Sequence, residues 1–182
     1  NETGKVLSEG ETKKGKIKWD GYYYNGELQS SGEYVDGKRN GKWLFYDITG
    51  AKENESEYKN GELDGLCKDF YPSGVLSKEV MYKNGMESGY FQYYHENGAV
   101  RKKGYTKDDK LAGELTQYYS NGKISDRGYY IDGDFNGKME FFDVLGKKTS
   151  EDLYELDLLK EHRLFDTTGK NYETIILKNG GG

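Results

Sequence analysis

Bulky residues do not gather into long runs in this chain; they return at fixed intervals between charged residues and glycines. An aromatic ring stands at Tyr22, Tyr46, Phe70, Tyr94, Tyr118, Phe142 and Phe165, with a spacing of 24 residues that shortens only at the last step. Three residues earlier, a bulky position holds Trp19, Trp43, Cys67, Phe91, Leu115, Met139 and His162. A third column reads Tyr34, Tyr58, Tyr82, Thr106, Tyr130, Tyr154 and Leu177, with Tyr105 beside Thr106 where the fourth unit slips. The glycines keep the same beat in Gly26, Gly50, Gly74, Gly98, Gly122 and Gly146, with Gly4 and Gly169 as displaced outer copies. A second series runs through Gly41, Gly65, Gly89, Gly113 and Gly137, and a third through Gly37, Gly61, Gly85 and Gly133, interrupted by Asp109 and Asp157. Self-similarity at a fixed period is the mark of a repeat array in which each unit is one supersecondary element.

Each half of the unit is strand-length, and Asn-Gly or Asp-Gly pairs fall at the junctions: Asn25-Gly26, Asp36-Gly37, Asn60-Gly61, Asn84-Gly85, Asn97-Gly98, Asn121-Gly122 and Asp132-Gly133. Such pairs favour type I′ hairpin turns, in which both central residues need positive φ. Tyr71-Pro72-Ser73-Gly74 fills the same slot in the third unit, with proline presetting φ. Two strands per unit, with no room for crossover helices, predict an all-β fold. The expected form is an elongated, single-layer antiparallel meander of about fourteen strands, one array over 1–182 in about seven units, with atypical ends. The stretch 150–165 departs most from the pattern and is also compatible with a helix.

In a regular strand the bulky column and the aromatic three residues later face opposite sides, so either a bulge intervenes or both faces carry aromatic rows. A further alternation favours two rows. Tyr23, Tyr71 and Tyr119 follow the main aromatic in units one, three and five, whereas Phe45, Tyr93 and Phe141 precede it in units two, four and six. This suggests a 48-residue superperiod, with these six residues as a candidate binding surface and the unbroken columns as structure.

Composition sharpens this picture. Only 34% of residues are hydrophobic and the mean hydropathy is −1.01, so a thick aliphatic core is not expected. With 18 Tyr and 7 Phe, the aromatics must carry the packing. A net charge of −5, with Lys and Glu interleaved, provides no basic face for nucleic acid. No transmembrane segment is expected, since no apolar window is long enough. One cysteine leaves the compartment open. The start at Asn1 without an initiator methionine fits either a removed signal peptide or a trimmed chain, so the compartment is left unknown, with the bacterial cell envelope or secretion slightly favoured over the cytoplasm.

The segments GKWLFYDITGAKENESEYKNGELDG and GELTQYYSNGKISDRGYYIDGDFNG carry the features G-x-W-x-x-Y, N-G and Y-x-x-G, with Leu115 in place of the tryptophan in the second. In these features the chain resembles the bacterial variant of the MORN repeat, from about Gly4 to Gly180. The resemblance implies a non-enzymatic scaffold with a protein partner, in some members of YwqK-type antitoxin character. A weaker resemblance, carried by Gly41 to Gly50, is to choline- and glucan-binding hairpin repeats. It implies carbohydrate binding, although only Trp19 and Trp43 supply tryptophan for ring stacking.

Candidate chemistry is sparse. His95 and His162 both sit in repeat registers, and Cys67 replaces a bulky residue, so none is expected to be catalytic. Asp132-Gly133-Asp134-Phe135-Asn136-Gly137 imitates the start of a calcium loop, but the same slot elsewhere is a hairpin turn and the twelfth position is Asp143. The sequons at Asn1 and Asn54 carry no functional weight. No cofactor or metal is expected. The reading is a protein-interaction scaffold, with a carbohydrate or cell-wall binder as the alternative.

Overall fold

The computed structural model describes residues 12–13 and 15–177, which form antiparallel strands with no helix among them. The chain divides into two compact units, Asn1–Glu87 and Ser88–Gly182. In the first, β1 (Thr12–Lys13), β2 (Lys16–Tyr22), β3 (Leu28–Val35), β4 (Lys38–Tyr46), β5 (Lys52–Lys59), β6 (Glu62–Phe70) and β7 (Leu76–Lys83) pair in sequence order. The second carries β8 (Met86–Tyr94) from Ser88 on, β9 (Val100–Lys107), β10 (Lys110–Leu111), β11 (Gly113–Tyr118), β12 (Ile124–Ile131), β13 (Asp134–Phe142), β14 (Lys148–Glu155), β15 (Leu158–Phe165) and β16 (Asn171–Ile176). These also pair in order, except that the two-residue β10 sits beside β9 while β11 continues the sheet. The helix considered for 150–165 is overturned: β14, a two-residue turn and β15 occupy that stretch.

Two kinds of turn alternate, and this corrects part of the type I′ assignment. Asp36-Gly37, Asn60-Gly61, Asn84-Gly85 and Asp132-Gly133 have positive φ at both residues, as a type I′ turn requires. At Asn25-Gly26, Asn97-Gly98 and Asn121-Gly122 only the glycine is left-handed, with φ of 91°, 82° and 82°. There the Gly26 amide donates to Tyr23 O at 3.0 Å and the Tyr23 amide to Glu27 O at 2.8 Å, a three-residue loop closed by a glycine bulge. The asparagine takes another role: Asn25 Oδ1 accepts the Glu27 amide, and Asn97 and Asn121 do the same at their loops.

Asp108-Asp109 and Leu156-Asp157 make the two-residue turn without glycine, all four at positive φ. An exposed leucine at φ 46° is the most strained, since its Cβ crowds the following carbonyl. Leu156→Gly is expected to stabilise the protein by about 1 kcal/mol in a denaturant melt, because the relieved strain exceeds the added freedom of the unfolded chain. A loss of stability would show that the leucine packs usefully.

The core is one row of side chains on one face of each sheet. In the first unit Trp19, Gly32, Trp43, Ser56, Cys67 and Val80 follow one another across the strands; Trp43 and Val80 are 0% exposed. In the second unit the row is Phe91, Gly104, Leu115, Gly128, Met139, Asp152 and His162. Large residues of the bulky column alternate with small ones at positions 32, 104 and 128, so one thin layer fills without voids. Where the column shrinks to Cys67, its neighbour grows to Val80.

The unbroken aromatic row is not this core. Its rings lie on the opposite, outer face: Lys102 stands over Phe91 and Tyr93, whereas the next residue, Lys103, stands over Tyr118. Both faces therefore carry rings. The row is half-buried, and Tyr22 is 41% exposed. A register shift precedes every member from Tyr22 to Phe165, placing the extra residue on the following strand.

A charged ladder also crosses the outer face of the second unit. Arg127 pairs with Glu140, Lys148 bridges Glu140 and Glu151, and Arg163 and Lys138 close on Glu151. Burial pushes the Glu140 and Glu151 carboxyls up, but hydrogen bonds and charge from Lys148, Arg127 and Lys138 outweigh it and hold both below the ordinary 4.5. A depressed folded value means that the unfolded chain takes up protons first. The contribution is therefore complete above the ordinary value and lost as pH falls through the folded one. The melting temperature should fall from about pH 6 to about pH 3, and Glu151→Gln should flatten that fall; equal slopes would remove the ladder from the account.

Candidate functional site

The six proposed binding residues fall into two structural groups. Tyr23, Tyr71 and Tyr119 begin the three-residue loops and are half-buried. The Tyr23 hydroxyl donates to Tyr46 O at 2.9 Å, and the Tyr119 hydroxyl to Phe142 O at 2.8 Å. His95, at the equivalent position, places Nε2 3.0 Å from Tyr118 O. Two residues further on, Asn25, Asn97 and Asn121 donate to Ile48 O, Ser120 O and Val144 O. These loops fasten one hairpin to the next. Where the position is Asp47, Asp143 or Asp166, the carboxylate instead accepts from amides of its own loop. Hydrogen bonds from Thr49 and Thr168 keep the Asp47 and Asp166 carboxyls below their ordinary value.

Phe45, Tyr93 and Phe141 lie in strands and are half-buried. Phe45 stacks on Trp43 at 6.0 Å, and the Arg39 guanidinium covers both rings. Tyr93 meets Phe91 edge-on at 5.8 Å, beside Arg101 and Lys102. Phe141 is flanked in register by Asp126 and Ser150. The structure brings Tyr23 and Phe45 together, in a cleft of about 310 Å³ that Arg39 and Tyr46 also line.

None of these six is among the widely exposed tyrosines of the second unit's strands, one of which, Tyr172 in β16, is 61% exposed. Tyr90, Tyr105 and Tyr129 are 45%, 50% and 51% exposed on the outer face of β8, β9 and β12. Tyr90 and Tyr105 are direct cross-strand partners, and Tyr129 is paired with Glu114. Each immediately precedes a buried column residue, Phe91, Thr106 or Tyr130, so strand alternation turns it outward. Strand parity alone is legible in the sequence; which parity faces outward depends on which column is buried.

Two shallow clefts open beside these rings. One, of about 260 Å³, lies over Gly104 between Tyr90, Gln92, Lys103, Glu114 and Thr116. The other, of about 100 Å³, lies over Gly128 between Glu114, Arg127, Tyr129, Lys138 and Glu140. Both are smaller than the usual small-molecule pocket and suit single side chains. A hydrogen bond with Tyr118 holds Lys103 above its ordinary value, and one with Glu140 does the same for Arg127. Glu114 accepts the Thr116 hydroxyl at 2.8 Å and makes no ion pair among the described residues.

No nucleophile and base are assembled in the positions the sequence singled out. Ser56 Oγ and Cys67 Sγ are buried 3.1 Å apart beside Asn54, and His162 turns to Asp152 at 2.5 Å. The calcium-like segment is a two-residue turn leading into β13, with Phe135 stacked on Tyr154. Asn54 lies within β5 and donates to Asp69, with Ser56 of its sequon buried; the Asn1 sequon lies outside the described residues. No helix among the described residues is long and apolar enough to cross a membrane.

A thin antiparallel meander, cored by one row of side chains and fastened hairpin to hairpin, defines a β-hairpin repeat scaffold. Residues 63–84, 87–108 and 111–132 each match the MORN repeat variant, three copies in tandem. No curated protein matches the chain.

Proposed function

We propose that the protein acts by binding, as a scaffold that presents the outer face of its second unit to another protein. The observation that carries this reading is the group Tyr90, Tyr105 and Tyr129, exposed beside two clefts of side-chain size. Tyrosine provides large, rigid contact area at low entropic cost while keeping a polar tip. The array over 1–182 would then be a single support for that face. A partner covered by it is blocked there, which is the antitoxin-like form of the reading. The carbohydrate alternative draws less support, because Trp43 is wholly buried beneath Arg39 and cannot stack on a sugar.

The test is a Tyr105→Ser/Tyr129→Ser double variant, compared with the unaltered chain in partner capture from a lysate of the source cell. Each exposed substitution should cost no more than about 0.5 kcal/mol of stability while the captured partner is lost. Undiminished capture by the folded double variant would move the binding surface elsewhere.

A further inference from the structure

We infer that the two clefts of the second unit form a docking groove for a proline-rich segment in the polyproline II conformation, with prolines three residues apart and a basic residue at their junction. The inference rests on the scaffold reading and names the partner's chemistry.

The first argument is spacing. The clefts lie over Gly104 in β9 and Gly128 in β12, with only β11 between those strands. Neighbouring strands lie about 4.8 Å apart, so two steps advance about 9.6 Å. Polyproline II rises about 3.1 Å per residue with three residues per turn, so its side chains return to one face every ~9.3 Å. An extended β-strand returns every ~6.7 Å and two α-helical turns take ~10.8 Å, missing the second cleft by about 2.9 Å and about 1.2 Å, against about 0.3 Å for polyproline II. Prolines at i and i+3 would enter successive clefts.

The second argument is the lining. Polyproline II segments dock in aromatic-lined grooves because their rings pack on aromatic faces and their conformation is already ordered. Tyr90 rims the first cleft and Tyr129 the second, with Tyr105 in the same exposed group. The Tyr105 and Tyr129 hydroxyls make no hydrogen bond among the described residues, and a polyproline II backbone leaves its carbonyls open to such donors.

The third argument is charge. Arg127 is engaged by Glu140 and Lys138 by Glu151, so these cations are largely neutralised. Glu114 lines both clefts and is exposed; Lys103 and Arg127 lie within its electrostatic reach, but it makes no direct ion pair among the described residues, so its carboxylate is open to a contact from the ligand. A lysine or arginine between the ligand's prolines would complement it.

The experiment is fluorescence anisotropy of the full-length protein with a labelled synthetic peptide carrying proline at every third position and one arginine. Three controls are a glycine-for-proline peptide, a peptide of the same composition with proline at every second position, and one with glutamine for arginine. Saturable binding is expected for the first peptide and at least tenfold weaker binding for the two with altered prolines. Tyr129→Ala should weaken binding tenfold or more at unchanged melting temperature. Should that variant unfold, Tyr129→Phe should still lower affinity by removing the hydroxyl. Glu114→Gln should reduce the arginine peptide to the level of the glutamine peptide and leave the latter unchanged. Equal binding of the altered-proline peptides, equal binding of the glutamine-for-arginine peptide, or no saturable binding overturns the inference. If partner capture still depends on Tyr105 and Tyr129 after such a result, the scaffold reading survives and only the ligand class fails.

Discussion

Replacing Trp43 with alanine should cost about 4 kcal/mol, the largest effect of any single truncation in the first unit. The indole is 0% exposed and lies in register between Gly32 and Ser56, residues too small to move into the space it would leave. Tyr34, Phe45 and Tyr58 surround it with ring centroids 4.8, 6.0 and 6.5 Å away, and Nε1 donates to Glu33 O at 3.1 Å. Truncation removes these contacts and leaves the Arg39 guanidinium without the ring it covers at 4.7 Å. Strand spacing is fixed by backbone hydrogen bonds, so the sheet cannot close around the cavity, and incomplete collapse is what makes such substitutions costly. The measurement is a denaturant melt followed by fluorescence of the remaining Trp19. Tyr46→Ala, in the half-buried outer row, should cost less than half as much. A similar cost at both positions would mean that the two faces share the core equally.

The second large effect comes from adding atoms. A Cβ built on Gly32 lies 2.3 Å from Cδ2 and Cε2 of Trp43, in the middle of a rigid ring held on several sides. Gly32→Ala should therefore cost about 3 kcal/mol, the upper end of ordinary overpacking. Gly128 makes the informative contrast. Its Cβ would meet the Sδ of Met139 at 2.5 Å, but an unbranched thioether can swing aside, and Gly128→Ala should cost less than about 1 kcal/mol. Combining Gly32→Ala with Trp43→Leu should cost markedly less than the sum of the two, because the smaller side chain removes the clash. Strict additivity in that double variant would show that the glycine is required for some other reason.

The repeat and its strand content were legible in the sequence because they depend on local signals. Glycine at positive φ, turn-forming Asn and Asp, and a 24-residue spacing of bulky residues each constrain the backbone where they occur. The two kinds of turn were not distinguished, although both contain Asn-Gly pairs. The difference at Asn25 is a side chain that accepts its own loop's amide and donates to the neighbouring hairpin, and the second bond exists only once the hairpins pair. For the same reason Tyr23 and Tyr119, read as surface aromatics, prove to be fasteners as well.

Sequence alone thus determined that the chain is a β-hairpin repeat, since each unit carries its own turns and bulky positions. Tertiary structure decided which columns are core and which tyrosines face outward. A side chain's burial depends on the size of its neighbours across the sheet: Gly32 makes room for Trp43, and Val80 compensates for Cys67, over sequence distances that periodicity does not weigh. The exposure of Tyr90, Tyr105 and Tyr129 follows from strand parity together with that choice of core face, and so became visible only when the strands were paired.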